Sequence, residues 1–91
     1  WGAGMTGRRL SKHLQREKIP LAGFIDIDPA KIGRKLRGLP ILSPPQLTPL
    51  WSRCENPAML AAVGARGARQ KIRQYLIGLG LDEGYDWWGV A

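Results

Sequence analysis

The chain has 91 residues, enough for one domain over residues 1–91. A chain this short buries only roughly 60–65% of the surface its unfolded form exposes, which argues against a deep two-lobed active site. Fourteen Lys and Arg against seven Asp and Glu give a formal charge of +7, a balance that favours anionic partners such as nucleotides, nucleic acid or acidic membrane.

No apolar run is long enough to span a bilayer, no secretory segment is visible, and the single Cys54 excludes an internal disulfide. A cytoplasmic location is expected on these grounds. Residue 1 is Trp, and a glycine-rich loop follows at once. In an α/β unit such a loop follows a first strand, so the sequence is expected to be a piece of a longer chain, its first strand truncated at Trp1.

In chain order, residues 7–18 read as a helix, with Leu10 and Leu14 at i, i+4 and Arg8, Arg9, Lys12, Arg16 and Lys18 on the other face. Pro20 ends it. Residues 21–27 read as a buried parallel strand. Asp28-Pro29 then caps a short helical turn through Ile32. Residues 38–42 form a short strand entered by a glycine turn, with Pro40 suggesting an edge position. Ser43-Pro44-Pro45 starts a second short helix that ends near Trp51. Residues 57–63 read as a central strand, Gly64-Ala65-Arg66-Gly67 as the turn after it, and residues 68–79 as the longest helix, stopped by Gly80. The tail, 82–91, carries Tyr85, Trp87 and Trp88. Strand, glycine turn and Arg-bearing helix occur twice, so the expected fold is α/β, a small three-layer Rossmann-like parallel sheet.

Gly2-Ala3-Gly4-Met5-Thr6-Gly7 fits G-x-G-x-x-G. The first Gly permits a tight turn, the second lets backbone approach a diphosphate, and the third lets helix pack closely on strand. The helix N-terminus then offers free N–H groups to an anion, with the Thr6 hydroxyl beside them. Asp26 lies roughly 20 residues on, where a ribose-binding acid is expected, while Asp28 reads as a helix cap. In the second turn Gly64, Arg66 and Arg69 offer a further anion clamp. The candidate binding set is therefore Gly2, Gly4, Thr6, Gly7, Asp26, Gly64 and Arg66, with Arg8 and Arg69 as basic neighbours. Each has a plain structural alternative: a βα turn without a ligand, a solvated strand end, a solvated basic helix start. His13 reads as a surface residue and Cys54 as an incidental thiol; no nucleophile–base–orienter set and no metal-ligand spacing are visible. Nucleic-acid binding rests on charge alone.

Together, "WGAGMTGRRL…GFIDIDPAKIGRKLRGLPIL" resembles a family of bacterial Rossmann-like domains. These precede the catalytic parts of nucleotide-sugar acetyltransferases and polysaccharide-type sugar epimerase/dehydratases. The later "AAVGARGARQKIRQYLIGLGLDEGYDWWGVA" is similar to the end of such domains attached to bacterial glycosyltransferases. The resemblance covers nearly the whole chain. It matches Gly2, Gly4 and Gly7 to the phosphate loop and Asp26 to the acid after the strand, while Ile27 stands where the family pattern has a second Asp. It implies an accessory domain of a bacterial glycosyltransferase, binding a nucleotide, nucleotide-sugar or NAD-like dinucleotide and packing on the catalytic domain of its parent chain. The other expectation is a docking module with an empty cleft, using Trp87, Trp88 and the basic helices. Asp26-Ile27-Asp28 has the spelling of a metal-holding Asp-x-Asp, but Pro29 and the preceding strand place it elsewhere.

Overall fold

The computed structural model describes residues 1–90; Ala91, the end of the expected tail, lies outside them. Helix α1 spans Met5–Arg16, beginning two residues before the expected start because Gly4 serves as its N-cap. Its last turn closes on Lys18, which takes a left-handed φ of 59°, while the Ile19 N–H returns to the Leu14 carbonyl at 2.9 Å. This is a Schellman stop, made two residues ahead of Pro20.

Strand β1, Phe24–Ile25, follows, then a helical turn in which the Asp28 carboxylate accepts the Ala30 N–H at 2.9 Å. Strand β2, Lys35–Leu36, turns through Arg37 and Gly38 into β3, Leu39–Leu42. Both turn residues have positive φ, 52° and 76°, the conformation of a two-residue type I′ hairpin. Arg37 holds it to α1: its Nε donates to Ser11 Oγ at 2.9 Å and its Nη2 to the Arg8 carbonyl at 2.7 Å. A 3-10 turn, Pro44–Gln46, is fixed by the expected cap, in which the Gln46 Oε1 accepts the Ser43 N–H at 2.9 Å. It leads into α2, Leu47–Arg53.

Strand β4, Met59–Ala61, is followed by α3, Arg66–Gly78, and by β5, Trp87–Gly89. Gly80, at φ 82°, stops α3 as the sequence indicates, with the Leu81 N–H returning to the Leu76 carbonyl.

The strands form two small sheets rather than one. In the first, β3 lies in the middle, parallel to β1 and antiparallel to β2. In the second, β4 and β5 pair in parallel. The expected three-layer Rossmann-like parallel sheet is therefore not what forms. The chain folds back at Arg37-Gly38 and adds an antiparallel partner, which makes the first sheet mixed and puts Pro40 on its central strand instead of an edge. Trp1, expected to be the end of a truncated first strand, and Gly2 after it belong to no strand. They make three backbone hydrogen bonds: Trp1 N to the Leu60 carbonyl, Ala62 N to the Trp1 carbonyl, and Gly2 N to the Ile25 carbonyl. These bonds connect β4 to β1 without a ladder.

Two apolar clusters hold the sheets. Ala3, Phe24 and Ile41 fill the smaller one, beside the mixed sheet. Ile25, Leu47, Met59, Ala61, Ile72, Leu76 and Trp87 fill the larger, between the parallel pair and the helices. Leu76 is 0% exposed and Trp87 2%, so Trp87 is core and unable to serve as a docking residue; Trp88, its neighbour, is exposed.

Candidate functional site

The glycine loop folds because its side-chain-free positions are pressed against other backbone. A Cβ on Gly7 would lie 1.8 Å from the Gly2 carbonyl oxygen, and one on Gly2, already at φ +118°, 2.7 Å from the Ala62 oxygen. Gly7 thus lets α1 settle on Gly2 of the loop, whereas the close approach expected of the third glycine is between helix and strand. Gly4 differs: a Cβ there would meet only Lys31 Nζ, at 3.6 Å.

Asp26 ties the loop to β1. One carboxylate oxygen accepts the Ala3 N–H at 2.9 Å and the other accepts the Asp28 N–H at 3.0 Å. Partial burial alone would raise its pKa. The N–H donors of Ala3, Asp28 and Ile27 and the charge of Lys31 outweigh that and hold it below the ordinary carboxylate value. The acid expected to bind a ribose is thus first a clamp on the loop.

A cleft of about 450 Å³ opens beside this loop. It gathers Gly2, Gly4, Thr6, Asp26 and Gly64 from the expected set, together with Lys31 and Lys71. Its wall is apolar, with Val63, Ala68, Ile72 and Tyr75 on the side of α3 and Met5 and Ile27 at the rim. The start of α1 carries no side-chain cap and no acidic residue in its first turn. Its first N–H groups and the positive end of its dipole therefore lack a side-chain partner among the described residues.

Two expected residues stand apart. Gly7 is buried beneath the loop and lines a different cleft. Arg66 is the exposed first residue of α3 and is absent from the cleft lining. Among the basic neighbours, Arg69 lies over Gly89 of β5, with its Nη2 2.8 Å from where a Cβ on that glycine would stand. The Arg8 carbonyl is engaged by Arg37. Lys31 and Lys71 were not singled out by motif. Lys31 sits on the turn that Asp28 caps, and Lys71 on an exposed helix face; only the fold brings them to the loop. No family model, curated protein or solved structure matches the chain.

Proposed function

We propose that this cleft binds a nucleotide-type anionic small molecule, with a phosphate at the start of α1 between Gly4, Thr6 and Lys31. The observation that carries the reading is the convergence, in one cleft, of an uncapped helix start, Lys31 and Lys71 beside the apolar wall of Val63, Ala68 and Ile72. Helix N-termini attract phosphate through free N–H groups and the dipole, and lysine adds a point charge. A cleft of about 450 Å³ falls within the range of small-molecule sites. Val63, Ala68 and Ile72 offer the less polar part of the ligand an apolar surface. The sequence resemblance supports placing this domain in a bacterial sugar-transferring enzyme, where the ligand would be a nucleotide, nucleotide-sugar or dinucleotide and the partner a catalytic domain.

The test is a thermal-shift and calorimetric panel of NAD, UDP, UDP-sugars and CoA. One of them should raise Tm, and Lys31→Ala should weaken its binding about tenfold, in line with the loss of one charge-assisted hydrogen bond. Gly4→Val is the sharper probe. Gly4 has φ −84° and ψ −159°, a backbone that valine accepts, and the added methyls would enter the cleft. Binding should vanish while the fold survives. A folded wild-type sample that responds to none of these compounds at millimolar concentration would overturn the reading.

A further inference from the structure

A second cleft, of about 770 Å³, shares Trp1, Gly2 and Ala62 with the candidate site and is otherwise separate from it. It is flanked by two stretches of backbone, residues 21–25 on one side and 57–60 on the other. Leu10 and Leu14 of α1 and Leu47, Leu50 and Trp51 of α2 add apolar side chains to its lining, and Ser11, Cys54, Glu55 and Asn56 polar ones. The stripe of α1 that the sequence marks as core-facing therefore faces a gap.

The direction of the backbone groups at its edges is fixed by pairing. In a parallel ladder, alternate residues turn both N–H and C=O to the same neighbour. The Asp26 N–H reaches the Leu42 carbonyl in β3, so Ile25, between Phe24 and Asp26, turns its pair the other way. Its carbonyl accordingly takes the Gly2 N–H at 2.7 Å. Across the cleft, the Met59 N–H reaches the Asp86 carbonyl and the Ala61 carbonyl takes the Val90 N–H, so Leu60 turns away from β5. Its carbonyl takes the Trp1 amine at 2.7 Å. The N–H groups of Ile25 and Leu60 are thereby aimed into a largely apolar gap from both sides. Buried backbone donors require acceptors.

We propose that this gap is the seat of an extended apolar strand, on the order of four residues long, that joins the chain through the Trp1 nitrogen and runs parallel to β1 and β4. The three hydrogen bonds of Trp1 and Gly2 already set its direction and register. Continued backward, the carbonyl of the residue bonded to Trp1 meets the Ile25 N–H, and the carbonyl before it meets the Leu60 N–H. Alternate side chains then meet Leu10, Leu14, Leu50 and Trp51. An amide at Trp1 keeps the bond to Leu60 without a buried charge. The antiparallel pairing of β2 with β3 is untouched, so the sheet around the strand stays mixed.

The experiment compares the chain beginning at Trp1 with two fusions, one carrying a five-residue Val/Ile extension before Trp1 and one carrying five Gly and Ser residues. Urea unfolding and amide hydrogen exchange are read for each. The apolar fusion should raise the urea midpoint and slow exchange at Ile25 and Leu60 by at least about tenfold, and the Gly/Ser fusion should do neither. If the shortest chain fails to fold, rescue by the apolar fusion and not by the polar one supports the same conclusion. Equal protection of both amides in all three chains overturns it. So does equal protection of the shortest chain by a free peptide of the Val/Ile sequence, because the strand would then not need the Trp1 nitrogen.

Discussion

Gly7 and Gly64 are both glycines of the expected binding set, and a single methyl group tells them apart. At Gly7 the new Cβ would sit 1.8 Å from backbone oxygen, whereas at Gly64 nothing lies within 4 Å. Gly7→Ala should cost on the order of 2–4 kcal/mol in urea denaturation, because α1 must lift off the loop. Gly64→Ala should leave stability within about 0.5 kcal/mol, so any effect it has on nucleotide affinity reports on the cleft. The Trp1 amine makes a second prediction at this scale. Burial lowers its pKa from 8.0 to about 6, against a smaller opposing pull from Asp26. Below about pH 6 the folded and unfolded amines are both charged, and the folded state bears the full cost of the buried charge. Between about 6 and 8 the unfolded state binds more protons, so stability of a chain beginning at Trp1 should rise with pH, by roughly 2–3 kcal/mol in all. Urea midpoints taken across that range should show the rise, and acetylating the amine should flatten it. Asp26 acts in the opposite range: its stabilisation is present above the ordinary carboxylate pKa and is lost as acid protonates it.

The β2–β3 hairpin carries the prediction at the scale of elements. Arg37 pairs a useful side chain with an unfavourable backbone, since its φ of 52° suits glycine better. Arg37→Ala loses the hydrogen bonds to Ser11 and Arg8 and keeps the backbone cost; Arg37→Gly loses the same bonds and removes that cost. Thermal unfolding should therefore rank glycine above alanine by about 1 kcal/mol. This hairpin also shows where the sequence stops being legible. Helices α1 and α3 could be read from Leu10 and Leu14 and from Ile72 and Leu76, because a 3.6-residue period persists over several turns. The strands are two to four residues long, too short to display a period. Lys35–Leu36 and Trp87–Gly89 consequently carry no strand signal, and local sequence marks the turn at Gly38 without Arg37. The site shows the same division. Glycine spacing placed Gly2, Gly4 and Thr6 in the cleft and marked Asp26, whose clamp on Ala3 depends on a contact across 23 positions. Lys31 and Lys71 reach the loop through the tertiary fold, which local pattern does not encode.

For the whole molecule, the +7 charge yields a prediction about what it will not hold tightly. Lys and Arg are spread over α1, the hairpin and α3, and no described helix is long and apolar enough to cross a membrane. Retention on duplex DNA at low salt should fade by about 200 mM salt, as expected of unspecific phosphate contacts. A nucleotide seated against Val63 and Ile72 should lose less of its affinity over the same range. Filter binding and calorimetry at matched ionic strengths would separate the two, and DNA affinity that persists at high salt would contradict the assignment. The larger cluster should dominate stability: Leu76→Ala, at a site with no exposure, is expected to cost about 2–5 kcal/mol in urea denaturation.

The three hydrogen bonds made by Trp1 and Gly2 also have a mechanical meaning. They lie across the line of the strands they join, so a pull on Trp1 along that line shears them together instead of peeling them singly. Between the mixed sheet and the parallel pair they act as one fastening, and the same two residues line the cleft proposed to hold a nucleotide. Tension applied there would slide the glycine loop against Ile25 and Ala62 before either sheet came apart, and would distort the cleft first.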